Sequence, residues 1–198
     1  MSFEHNKSWD NFEKVVNSGV SIKDGWRQII DFHKRIKKKS YWKDLETLDL
    51  EVEQQEIKNW LEALVTEEPF DKEIISFWIG ICKFLDNEER EFYVIYLVGC
   101  KSYDNDDIEW ASDPAYLPKK RYFVSKSLNE IDEKIKPDSD DYSFLDWILP
   151  LAYTSLALND LIKNKLDHSK FLKYQDKIFV TTGHDSGDYL NINAIGVE

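Results

Sequence analysis

Apolar side chains follow a helical period over the first third of the chain. Trp9, Phe12, Val15 and Val16 share one face of a segment that Ser8-Trp9-Asp10 can open and Gly19 can close. Ser21 caps a second helix, with Ile22, Trp26, Ile29, Ile30 and His33 in phase before the basic run Lys34 to Lys39. A third helix is predicted over residues 43–65 on the stripe Leu45, Leu48, Val52, Trp60, Leu61 and Leu64, and Pro69 stops it. The period then changes. Residues 73–84 and 91–100 are rich in β-branched and aromatic side chains and flank a polar stretch, 85–90, which predicts a hairpin. Both segments are apolar on both alternating faces, as central strands with cover on each side would be.

Beyond an irregular acidic segment, 102–118, come a short stretch, 121–124, and a helix from Ser125 with Leu128, Ile131 and Ile135 in phase. Residues 140–166 give the most hydrophobic helix, bent or begun at Pro150. Residues 177–182 and 189–195 predict a second hairpin around Gly183-His184-Asp185-Ser186-Gly187-Asp188, with Gly at positive φ and Asp bonding the turn's own backbone. No repeat or low-complexity linker divides the 198 residues, so one domain is expected. Its class is α+β, with an antiparallel sheet of about four strands in two hairpins. The expected parts are a helical section over 7–66, a hairpin over 73–100, helices over 125–166 including a long hydrophobic C-terminal helix, and a closing hairpin over 177–195.

Charge narrows the function. The 26 basic residues against 38 acidic ones give a formal net charge of −12, which repels phosphate backbones and anionic membranes and favours association with a basic partner. Neither nucleic acid nor membrane is therefore an expected partner. The basic run Lys34 to Lys39, beside Tyr41 and Trp42, reads as the cationic end of the second helix. Cys82 and Cys100 sit in apolar runs and read as small buried hydrophobes. The N-terminus lacks a basic stretch followed by an apolar one, and the apolar stretch 144–162 contains Asp146, Pro150, Asn159 and Asp160. The chain reads as cytoplasmic.

Catalytic motifs are missing. There is no phosphate loop, no Gly-x-Gly-x-x-Gly after a strand, and no His-Glu-x-x-His or Cys-x-x-Cys pair, so no cofactor or metal is expected. In Gly183-His184-Asp185-Ser186-Gly187 the Ser is fourth, where a nucleophile elbow needs it third. His5, His33 and His168 read as a frayed terminus and polar or helix-end positions. A hydrolase or transferase with a site near His184 and Asp185 remains an alternative.

The acidic segment is more informative. Asp104, Asp106, Asp107, Glu109 and Asp113 are interleaved with Tyr103, Trp110 and Tyr116, and no Lys or Arg occurs between Lys101 and Lys119. A calcium loop would need Gly at its sixth place and Glu at its twelfth, where this chain has Glu109 and Ala115. A solvated loop and a protein-binding surface are the readings left, and aromatic anchors ringed by carboxylates suit a basic protein partner. The third helix is also acidic, through Glu46, Asp49, Glu51, Glu53, Glu56 and Glu62.

The stretch carrying Gly99, Asp104, Asp106, Asp107, Trp110, Ala111, Tyr116 and Pro118 resembles a pattern in small acidic bacterial immunity proteins. The closing tract GHDSGDYLNI is similar to a Gly-Asp turn near the end of such proteins, including the Smi1/Knr4-like superfamily, although the long helical N-terminal third departs from that compact layout. The resemblance implies a partner of a secreted or contact-delivered bacterial toxin, held inactive in the producing cell; the missing catalytic motifs add the expectation that the chain is not an enzyme. With the charge, the expected partner is a cognate toxin that is basic, such as a nuclease. The expected contacts are Asp104, Asp106, Asp107, Glu109, Trp110, Asp113 and Tyr116, with Asp185 and Asp188 second. An adaptor for another basic protein is the blander alternative.

Overall fold

The computed structural model describes residues 2–185 and 187–196; Ser186, in the closing turn, lies outside them. Helices α1 (His5–Asn17), α2 (Ile22–Ile36), α3 (Trp42–Glu46) and α4 (Leu50–Glu67) precede strands β1 (Ser76–Leu85) and β2 (Glu91–Cys100). A 3-10 turn (Ile108–Ser112), β3 (Tyr122–Val124), α5 (Lys126–Ile135) and α6 (Tyr142–Asn164) follow, then β4 (Lys177–His184), β5 (Tyr189–Asn191) and β6 (Ile195–Gly196). The class is α+β.

The helices start where the chain supplies acceptors for free N–H groups. Ser21 Oγ accepts from Asp24 N at 3.2 Å, and Ser125 Oγ accepts from Leu128 N at 3.1 Å. The α5 start has a second acceptor from another helix: buried Glu53 of α4 accepts from Ser127 N at 2.5 Å and from the Ser125 hydroxyl. Where one helix was expected over 43–65, α3 and α4 are separated at Thr47 to Asp49; Thr47 turns its hydroxyl back to the Asp44 carbonyl at 2.9 Å.

The sheet corrects the expected all-antiparallel one. Its order is β3-β2-β1-β4-β5, with β6 pairing the start of β4. Strands β1 and β2 pair antiparallel from Ser76↔Cys100 to Leu85↔Glu91, and β4 with β5 likewise. The two hairpins are joined because β1 and β4 run parallel, from Ser76↔Phe179 to Ile81↔His184. A parallel pair needs a long crossover, and the chain through α5 and α6 supplies it. The strands β3 and β6 are too short for a period of two to reveal.

Helix α6 runs through Pro150 without a break, and three strands follow it, so it is an internal helix rather than a C-terminal one. Residues 148–162 are all buried, and α6 packs against α1, α2, α4, α5, β1 and β4. Burial on all sides fits a stretch that is apolar on most of its circumference, with Thr154, Ser155, Asn159 and Asp160 as its buried polar residues, and that burial outweighs the hydrogen bond lost at proline. Among the described residues no helix is long and apolar enough to cross a membrane. The helices cover one face of the sheet, leaving the opposite face to the loops.

Candidate protein-binding site

On the face away from the helices, β1 and β2 present Trp78, Val98 and Cys100, and the acidic segment folds over them. Trp110 packs there at 8% exposure, with Tyr96, Tyr103, Ile108, Ala111 and Tyr189 around the cluster. Tyr103 stacks on Phe179, ring centroids 4.2 Å apart and planes within 4°. Tyr116 is buried from the other end of the segment, its hydroxyl donating to the Glu68 carbonyl at 2.5 Å and its backbone bridging to Gly99. Trp110 and Tyr116, expected as anchors for a partner, thus hold the loop to its own sheet. The Trp110 Nε1–H is buried without a hydrogen-bond partner among the described residues.

That packing leaves the carboxylates outside. Asp104, Asp106, Asp107, Glu109 and Asp113 are all exposed, as are Asp185 and Asp188 in the β4–β5 turn. Asp104 accepts from Asp106 N and Asp107 from Glu109 N, each at 2.9 Å, so short polar turns set the loop's path. Among the described residues none of these seven carboxylates is in an ion pair. No cluster of three or more metal-ligating side chains forms among the described residues either. By contrast Lys34, Lys37 and Lys39 of the basic run are ion-paired with Glu46, Asp141 and Asp138.

The two acidic segments are brought together. Asn191 of β5 donates to the Asn105 carbonyl at 3.0 Å, and a groove of about 500 Å³ is lined by Asn105, Asp188 and Asn191 with Glu13 of α1. Among the described residues the side chains of Asp185 and Asp188 do not make the bond to the turn's own backbone expected from the sequence; each ties the turn to a neighbouring element. The Tyr96 hydroxyl donates to Asp185 Oδ1 at 2.5 Å and accepts from Trp78 Nε1 at 2.9 Å, while Trp147 Nε1 donates to Asp188 Oδ2 at 2.9 Å. Burial and the Asp185 carboxylate raise the Tyr96 pKa, keeping its proton available for that bond. Gly187, with φ of +119°, supplies the positive φ expected of the turn.

The other half of this sheet face, not anticipated from the sequence, is left open among the described residues. Phe84, Tyr122 and Val124 are 38%, 42% and 55% exposed, and Tyr122 joins Phe84 to Tyr96 at ring separations of 5.0 and 5.9 Å. Gly80 keeps the ring of Tyr96 flat on the sheet, since a Cβ there would stand 2.3 Å from its Cε1. The period of two in β1 places Phe84 on the same face as Trp78, but only the topology shows that the loop ends before reaching it.

Groups needed for catalysis near His184 lie apart. His184 Nε2 donates to the Trp147 carbonyl at 2.8 Å on the helix side, whereas Asp185 turns to Tyr96 on the opposite face. A recess of about 260 Å³ beside His184 includes Cys82, Lys83, Tyr93 and Asp146. Burial pushes the Cys82 thiol up to about 11, with Asp185 adding to it, so sulfur stays protonated at neutral pH. Lys83 donates to Asp132 at 3.1 Å, Asp146 at 3.0 Å and Tyr142 at 2.8 Å. Burial opposes its charge, but these partners outweigh burial and hold its pKa above the ordinary value. It is a charge-balancing ammonium, not an available amine. Compared with protein-family models, curated proteins and solved structures, the chain finds no match.

Proposed function

We propose that the chain is an immunity protein of the producing cell's cytoplasm, which binds a basic toxin of the nuclease class and occludes its active site. The observation that carries this reading is the set of seven exposed carboxylates that form no ion pair among the described residues, flanked by an open aromatic half-face of the sheet. A nuclease site holds cationic groups for phosphate, and fixed carboxylates compete for them. An apolar patch beside them offers the burial that gives such a complex its lifetime.

The test starts with capture of partners from native cells on the tagged protein, with low-salt and then high-salt washes. The gene for a near-stoichiometric basic partner is then expressed in a host lacking both proteins. Expression alone should arrest growth with degradation of nucleic acid. Co-expression of the wild type should restore growth, and co-expression of the Asp106→Lys/Asp107→Lys variant should not. A harmless partner, or full protection by the charge-reversed variant, would overturn the reading.

A further inference from the structure

Where α1, the start of α6 and the β4–β5 turn meet, His5, Asn6, Trp9, Trp147 and Asp188 line a recess of about 330 Å³. Its walls are aromatic. The Trp9 and Trp147 rings are inclined by only 17° with centroids 6.3 Å apart, and the His5 ring lies 4.9 Å from Trp147. Trp147 is held at both ends, its indole N–H by Asp188 and its carbonyl by His184. Among the described residues Trp147 is the one hydrogen-bond partner of the Asp188 carboxylate, which has no ion pair. Indole faces are electronegative, so the recess presents two kinds of attraction for a cation, the ring faces and the Asp188 carboxylate. Trp9 and Asp188 also border the groove with Glu13 and Asn105 that leads to the acidic loop.

We infer that this recess is a receptor for a single arginine side chain of the basic partner. Its guanidinium stacks on the indole wall and pairs with Asp188. The planar, weakly hydrated guanidinium suits an aromatic wall with a lateral carboxylate better than the compact ammonium of lysine does. The inference rests on the partner reading above for where the arginine comes from, but the recess can be probed without any partner.

The probe is N-acetyl-arginine amide, titrated into ¹⁵N-labelled full-length protein while the indole N–H signals are followed. Trp9→Phe and Trp147→Phe variants assign the two signals. N-acetyl-citrulline amide, which has the same shape without the charge, is the control. The signals of Trp9 and Trp147 should shift saturably with the arginine compound and not with citrulline. Asp188→Asn should weaken binding about tenfold or more. Equal response to citrulline, shifts confined to other tryptophans, or unchanged affinity in Asp188→Asn would overturn the inference. Should Asp188→Asn disturb the turn, the citrulline comparison in the unaltered protein still decides. Arginine binding without a toxin partner refutes the function but keeps the recess, and a toxin partner without arginine binding does the reverse.

Discussion

His33 shows how much one buried side chain can couple the fold to pH. The imidazole lies in the last turn of α2, as expected, but is fully buried there and does not face solvent. Its Nδ1–H donates to the Ile29 carbonyl at 2.8 Å, and Nε2 lies 3.2 Å from the Ser8 hydroxyl, which donates to it. Burial dominates and pulls its pKa down from 6.5 to about 4. The unfolded chain therefore binds the extra proton first. His33 contributes stability that is complete above pH 6.5 and is lost as pH falls to about 4. The loss amounts to about 3 kcal/mol. Denaturant unfolding at several pH values should show this slope in wild type and not in His33→Gln; equal slopes would contradict it. His33 was legible as part of the apolar stripe of α2, but its aromatic neighbours Phe3 and Phe144 come from distant segments. Trp110 is the same case. An aromatic residue among aspartates reads alike whether it faces a partner or its own sheet, and packing on Trp78 and Val98 decides.

Among the elements, those with a strong internal period were the most legible. The stripes of α1, α2 and α5 and the serine caps of α2 and α5 at Ser21 and Ser125 are local features that a linear pattern records, whereas α1 starts at His5, one turn before the Ser8 expected to open it, with no side-chain cap. The hairpin partners of β1 and β4 were similarly visible from adjacent apolar runs. What the pattern could not carry was pairing at a distance: the parallel β1–β4 contact, the three-residue β3 and the cap that Glu53 of α4 gives to α5. That cap gives an element-level prediction. Glu53→Ala leaves the Ser127 N–H and the Ser125 hydroxyl without their buried acceptor, at a cost of about 2–3 kcal/mol. Hydrogen exchange should show protection lost first at the start of α5. Unchanged stability together with unchanged exchange there would contradict the cap's role.

At the scale of the molecule, charge and topology act together. The sheet has one face under the helices and the other divided between a loop that presents carboxylates and an open aromatic half. The sequence carried the first ingredient, since Asp104 to Asp113 lie in a tract free of basic residues. The second depends on where β2 and β3 place Tyr122 and Val124, which no local pattern contains. With a net charge of −12, the acidic face should steer a basic protein before any close contact forms. The most direct test is the association rate of the captured basic partner with wild type and with Asp106→Lys/Asp107→Lys, at low and at high salt. At low salt the variant should associate about tenfold more slowly, and the gap should close as salt screens the field. Equal rates at low salt, with the variant folded, would contradict the assignment of the acidic loop to the interface.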